Sequence, residues 1–128
     1  MSFFDEPFIK KEIDQIDFLR DLVSGLEEAV QKTNNEELAV EYWHAMYALV
    51  EKQHVVYTRL MYTDDPEALM LKKNLEDTAM ELNNSVRPIN MPEYYTKMKS
   101  DIKGFISGLT GENLDDYEGI DVDFEIDL

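Results

Sequence analysis

The sequence has no cysteine, which excludes disulfides and thiolate chemistry and fits a reducing, cytoplasmic setting. It also lacks any apolar run near the ~18 residues that a membrane-spanning helix needs. Its first residues include Asp5 and Glu6 and no long apolar stretch, so no secretory signal is predicted. We therefore expect a cytoplasmic protein that does not bind membranes.

Positive charge is scarce, and one end of the chain lacks it altogether. The net charge is −16, and residues 104–128 hold eight acidic residues but no Lys or Arg. Nucleic acids and anionic membranes bind cationic surfaces, so direct binding to either is not expected. The charge favours a basic protein partner, or a protein surface that normally holds DNA.

Common catalytic motifs are missing as well. The chain has no Gly-x-Ser-x-Gly, no glycine-rich phosphate loop and no cysteine nucleophile. Its many carboxylates are expected to lie on solvent-exposed faces of helices, because a large number of acidic residues does not by itself form a catalytic site. We predict that the protein is not an enzyme and needs no cofactor.

Through most of the chain, apolar residues recur at three- and four-residue steps, which is typical of amphipathic helices. The predicted helices run from Pro7 to the turn Thr33-Asn34-Asn35, from the cap Asn34 to about Tyr62, from Pro66 (capped by Asp65) to about Leu82, and from Pro92 to about Leu109. A chain of 128 residues fits one domain. The predicted fold is all-α: a four-helix antiparallel arrangement over residues 1–110, built on a long hairpin of helices one and two. An acidic extended tail, residues 111–128, follows it.

Helix two is predicted to be too long for helix three to cover. At 1.5 Å per residue, about 28 residues in helix two give ~42 Å, whereas helix three has only about 17 residues. The uncovered apolar surface needs either the N-terminal segment or a second subunit, so a homodimer is one of two alternatives. The aromatic residues assigned to a dimer or partner surface are Phe3, Phe4, Trp43, Tyr47 and Tyr57.

The last nine residues, Ile120 to Leu128, alternate apolar and acidic side chains without a break. This two-residue period is typical of a strand, and a helical body offers that strand no mate. We predict that the tail docks on another protein, either by strand addition to an exposed sheet edge or as a short peptide with Phe124 as its main contact. The predicted partner-binding residues are the apolar Val122, Phe124, Ile126 and Leu128 and the steering acids Asp121, Asp123, Glu125 and Asp127.

Two other interpretations of the tail stay open. Acidic chain ends are often passive solubilising segments. Alternatively, the strand folds back on its own protein, against Lys97, Lys99 and Lys103 of helix four.

Helix two contains two Glu-x-x-His pairs, Glu41 with His44 and Glu51 with His54. This spacing puts a carboxylate and an imidazole on one face, as di-iron carboxylate bundles require. The pairs lie ~15 Å apart along one helix and are rotated by ~80°, so they cannot share one site within a chain. Metal binding by these four residues is therefore the least favoured alternative.

Three segments form a recognisable set: the opening Met1-Ser2-Phe3-Phe4-Asp5, the stretch Ala45-Met46-Tyr47-Ala48-Leu49-Val50-Glu51-Lys52 and the later Tyr57-Thr58-Arg59-Leu60. Together they resemble a small all-helical cyanobacterial family whose relatives also occur in phages of cyanobacteria. Members of the family begin with a Phe-Phe-Asp signature and carry an x-Met-x-Ala-Leu-Met-Glu-Arg-Tyr helix. The resemblance covers about residues 1–105 and implies no activity and no functional residues. The acidic tail lies outside the family pattern, which suggests an added function in a phage-borne version.

These observations predict a non-enzymatic interaction module, an adaptor or modulator that acts on a host or phage protein. The alternative is an acidic DNA mimic or transcription co-regulator that binds RNA polymerase or a sliding clamp. Asp123-Phe124 near the C-terminus resembles the acidic, Phe-containing peptides by which phage late-transcription coactivators attach to sliding clamps.

Overall fold

A computed structural model describes residues 2–114 and Tyr117, and all regular structure in these residues is helical. A short 3₁₀ turn, Phe3–Asp5, precedes the α-helices α1 (Pro7–Thr33), α2 (Glu36–Leu60), α3 (Pro66–Leu82) and α4 (Met91–Thr110). The predicted all-α fold, with its long α1–α2 hairpin, is confirmed. None of the described helices combines the length and the apolarity that crossing a membrane requires.

Local capping residues set the helix ends. Asp65 and Pro66 open α3 as predicted, and Gly111, with a φ of 74°, closes α4. Asn35 caps α2, since its side-chain oxygen accepts hydrogen bonds from two backbone N–H groups of the first turn. The predicted cap, Asn34, was wrong by one residue. It ends α1 with a φ of 51°, a left-handed conformation that Asn tolerates better than most residues.

The helix at the centre of the structure is α2, because α1 packs along one of its faces and α4 along another. Ala45 and Val56 belong to the apolar cluster shared with α1. Tyr47 and Val50 belong to a second cluster, shared with α4. Met46 packs against both clusters, so α2 connects the two halves of the core.

The shorter α3 bridges these two clusters with little buried surface of its own. Its only fully buried residues are Ala68, in the first cluster, and Ala79, in the second. Leu114 and Tyr117 pack against the second cluster, and the Tyr117 ring contacts His44 and Tyr47 of α2. Part of the surface predicted to need the N-terminal segment or a second subunit is thus covered by residues that follow α4.

A charged pair is buried where α1 meets α2. Lys52 Nζ lies 3.2 Å from Glu12 Oε1, and the two side chains are only 13% and 6% exposed. The other carboxylate oxygen of Glu12 has no hydrogen-bond partner within the described residues. Removing two charges from water is costly, so each member of this pair depends on the other.

We expect Lys52→Met to lower the free energy of unfolding by about 3 kcal/mol, because it leaves the buried Glu12 carboxylate uncompensated. Lys32→Met is the matched control: its partner Glu28 lies 2.7 Å away, but the two side chains are 71% and 67% exposed. This variant should cost under about 1 kcal/mol. Urea unfolding followed by circular dichroism measures both, and equal losses would contradict the assignment.

Candidate functional site

The C-terminal end of the described chain is fixed to α2 by Tyr117. Its ring centroid lies 5.2 Å from that of His44 and 5.0 Å from that of Tyr47. Its hydroxyl hydrogen-bonds to His44 Nδ1. Burial, followed by the neighbouring Tyr47, raises the pKa of Tyr117 to about 12, so its hydroxyl keeps its proton at neutral pH. Whatever follows Tyr117 therefore starts from a defined point on the helical body.

An exposed apolar patch lies where α2 meets α4. Trp43 of α2 packs on Phe105 of α4, with their ring centroids 4.7 Å apart. Phe105 is 50% exposed and Leu109, one helical turn further on, is 40% exposed. We call Trp43, Phe105 and Leu109 the Phe105 patch. It offers an apolar contact surface between α2 and α4.

All eight predicted partner-binding residues, which fall between 121 and 128, lie outside the described residues. Eleven residues follow Tyr117 in the sequence.

A second cluster of ionisable groups lies between α2 and α4, centred on Lys99. Its Nζ lies 2.8 Å from Glu51 Oε2 and 3.1 Å from His54 Nδ1. An ammonium group can only donate, so Nδ1 carries a lone pair and the ring proton lies on Nε2. The His54 ring also stacks on Tyr95, with the centroids 5.3 Å apart.

These contacts bear on the residues considered for metal binding. Lys99 contacts both members of the Glu51–His54 pair, and its charge opposes a second cation there. In the other pair, His44 contacts Tyr117 while Glu41 is exposed. Over the part of the chain that the structure describes, no three His, Asp or Glu side chains are placed to hold a metal ion.

A tyrosine–carboxylate contact ties α3 to α2. The Tyr57 hydroxyl donates to Glu76 Oε2 at 2.8 Å, and Lys72 Nζ lies 3.1 Å from the same oxygen. Burial and the Glu76 carboxylate together raise the pKa of Tyr57 to about 12. Tyr57 is thus committed to a contact within the chain.

The aromatic residues predicted for a dimer or partner surface differ in how deeply they are buried. Phe3, Tyr47 and Tyr57 are buried within the single chain. Phe4 and Trp43 remain half-buried, and only Trp43 belongs to the Phe105 patch. Tyr117 was not identified from the sequence. The sequence feature that could have indicated Tyr117 is an aromatic residue flanked by the acidic Asp115, Asp116 and Glu118.

No protein-family model matches the chain, and no curated protein or solved structure matches it either. The resemblance to the cyanobacterial family stays a prediction.

We expect Tyr117→Ala to lower the free energy of unfolding by about 1–2 kcal/mol, since a half-buried ring leaves its contacts with His44 and Tyr47. Tyr62→Ala is the control, because Tyr62 is 83% exposed and should cost under about 0.5 kcal/mol. Chemical denaturation of both variants measures the difference. If Tyr117→Ala were as neutral as Tyr62→Ala, Tyr117 would not fix the start of the tail.

We also expect the contribution of His54 to stability to fall as the pH drops below about 6.5, the ordinary pKa of histidine. Burial lowers the pKa of His54, and the positive charge of Lys99 lowers it further, while Glu51 opposes both. Between this lowered pKa and the unfolded value, the folded chain binds fewer protons than the unfolded chain. The contribution of His54 to stability is therefore fully present above the pKa that this residue has in the unfolded chain. It is lost as the pH falls through the lower pKa that His54 has in the folded chain.

Urea unfolding of the wild type and of His54→Gln at pH 7.5 and pH 5.5 isolates this contribution, because every other ionisable residue is the same in both proteins. The wild type should lose more stability on acidification than the variant. Identical losses would show that His54 is not the responsible group.

Proposed function

We propose that this protein is a non-enzymatic interaction protein that uses its acidic, alternating C-terminal segment as a docking peptide. The expected partner is a protein with an exposed sheet edge or a basic rim, in the cytoplasm. In strand addition, backbone hydrogen bonds hold the peptide, and Val122, Phe124 and Ile126 enter pockets on one side. The acids on the other side speed association with a basic surface.

The observation that carries the proposal is the contact of Tyr117 with His44 and Tyr47. A solubilising tail needs no defined starting point, whereas a docking peptide gains from one. A partner that captures the segment is held close to the helical body, where the Phe105 patch supplies a second contact. Two linked contacts bind more tightly than either alone, since the second becomes intramolecular.

The high negative charge favours a second candidate function, that of an acidic DNA mimic or transcription co-regulator. The whole chain carries −16, and residues 2–114 alone hold 21 acidic against 12 basic residues. A surface that normally binds DNA, such as that of RNA polymerase or a sliding clamp, would attract such a protein. In this case the charge would provide the affinity, and the apolar residues of the tail would matter little.

Affinity capture with the full chain as bait separates these functions. We expect Phe124→Ala to reduce retention of the captured partner at least tenfold, because a buried aromatic side chain dominates such contacts. A matched bait exchanges Phe124 and Glu125, which preserves composition and net charge but breaks the alternation. It should lose the partner as well.

Salt provides the opposite test. If both variants retain the partner and raised ionic strength releases it, charge provides the affinity and the DNA-mimic function is favoured. Retention by both variants that is also insensitive to salt would contradict both functions of the tail.

A further inference from the structure

A half-open apolar groove of about 320 Å³ lies between α1, α2 and α3. Its apolar lining consists of Phe4, Ile13, Ile16, Val56, Leu71 and Leu75. Four of these, Phe4, Ile13, Leu71 and Leu75, are only partly buried although they pack on the first core cluster. Filling the groove would remove this surface from water, which is favourable.

The groove is bordered by polar side chains of both charges. Asp17 and Arg20 of α1 stand one helical turn apart, and Gln53 of α2 completes the lining. Both charged residues are exposed, so they can pair with charges on a bound molecule without first leaving water. An apolar interior with a few polar groups at its edge is the usual composition of a small-ligand site between helices.

The charges of Asp17 and Arg20 limit which molecules the groove can bind. A simple anion would meet Arg20 but also the field of a chain carrying −16. A simple cation would gain from that field and from Asp17 but would be repelled by Arg20 at the same edge of the groove. A molecule that carries one charge of each sign avoids both penalties, since its carboxylate can face Arg20 and its ammonium can face Asp17.

Size limits the occupant further. Ligand pockets span about 300–1,000 Å³, so 320 Å³ is at the small end. It suits one large apolar side chain rather than a long acyl chain. We propose that the groove binds a free amino acid with a large apolar side chain, held by Arg20 and Asp17 at its charged end. None of the described residues that line the groove belongs to the C-terminal tail.

The test is a titration of the methyl-labelled full chain with L-phenylalanine, followed by NMR. Saturable shifts are expected at the methyl groups of Val56, Leu71 and Leu75. The analogues 3-phenylpropionate and 2-phenylethylamine each lack one charge. Each should bind about fivefold more weakly, as the loss of one solvent-exposed ion pair predicts.

Variants of the groove supply matched controls. Leu71→Phe should fill the groove and abolish the shifts, whereas Leu69→Phe, on the exposed side of α3, should preserve them. Asp17→Asn should weaken binding of L-phenylalanine about fivefold. Asp14→Asn, an exposed acid of α1 that does not line the groove, should leave it unchanged.

Several results would overturn the proposal. Binding of N-acetyl-L-phenylalaninamide as strong as that of L-phenylalanine would show that only the side chain is recognised, as for a residue of a partner protein. Groove shifts caused by Phe124→Ala without ligand would assign the groove to the tail. Shifts that depend on protein concentration would assign it to a second copy. Absence of any saturable shift with L-phenylalanine would leave the groove without this ligand.

Discussion

The structure depends on the need to cover α2 on more than one face. This helix contributes Ala45 and Val56 to one apolar cluster and Tyr47 and Val50 to another. A single partner helix can cover only one stripe of its surface. Hence α1 and α4, which are far apart in the sequence, are both required, and α3 and the residues after α4 cover part of what remains. The positions of the groove and of Tyr117 both follow from this arrangement.

The helices could be predicted from the sequence because their signals are local. A 3.6-residue apolar period, a capping Asp65 and a Pro66 need no knowledge of distant residues. Even the error at Asn34 is local, since two adjacent asparagines can each serve as a helix terminus. The periodicity also showed that α2 is apolar on several faces. It could not show which element covers each face, because that depends on how the helices rotate and cross.

The candidate sites were harder to predict for the same reason. Glu51 and His54 have the spacing of metal ligands, but that spacing cannot reveal that Lys99, 45 positions beyond His54, contacts both side chains. Tyr117 stands in a strongly acidic segment, where composition favours solvation. Its contact with His44 spans 73 positions and depends on the route of the chain after α4. Long-range side-chain pairs such as these determine which ionisable and aromatic groups meet on α2.

The central position of α2 also has a consequence for synthesis. Since chains emerge from the ribosome N-terminus first, α1 and α2 can pair long before α4 exists. During that interval the face of α2 that carries Tyr47, Val50 and Tyr57 lacks its partner helix. This nascent hairpin exposes an aromatic stripe that the finished protein buries, and such transiently exposed surface favours aggregation or chaperone capture.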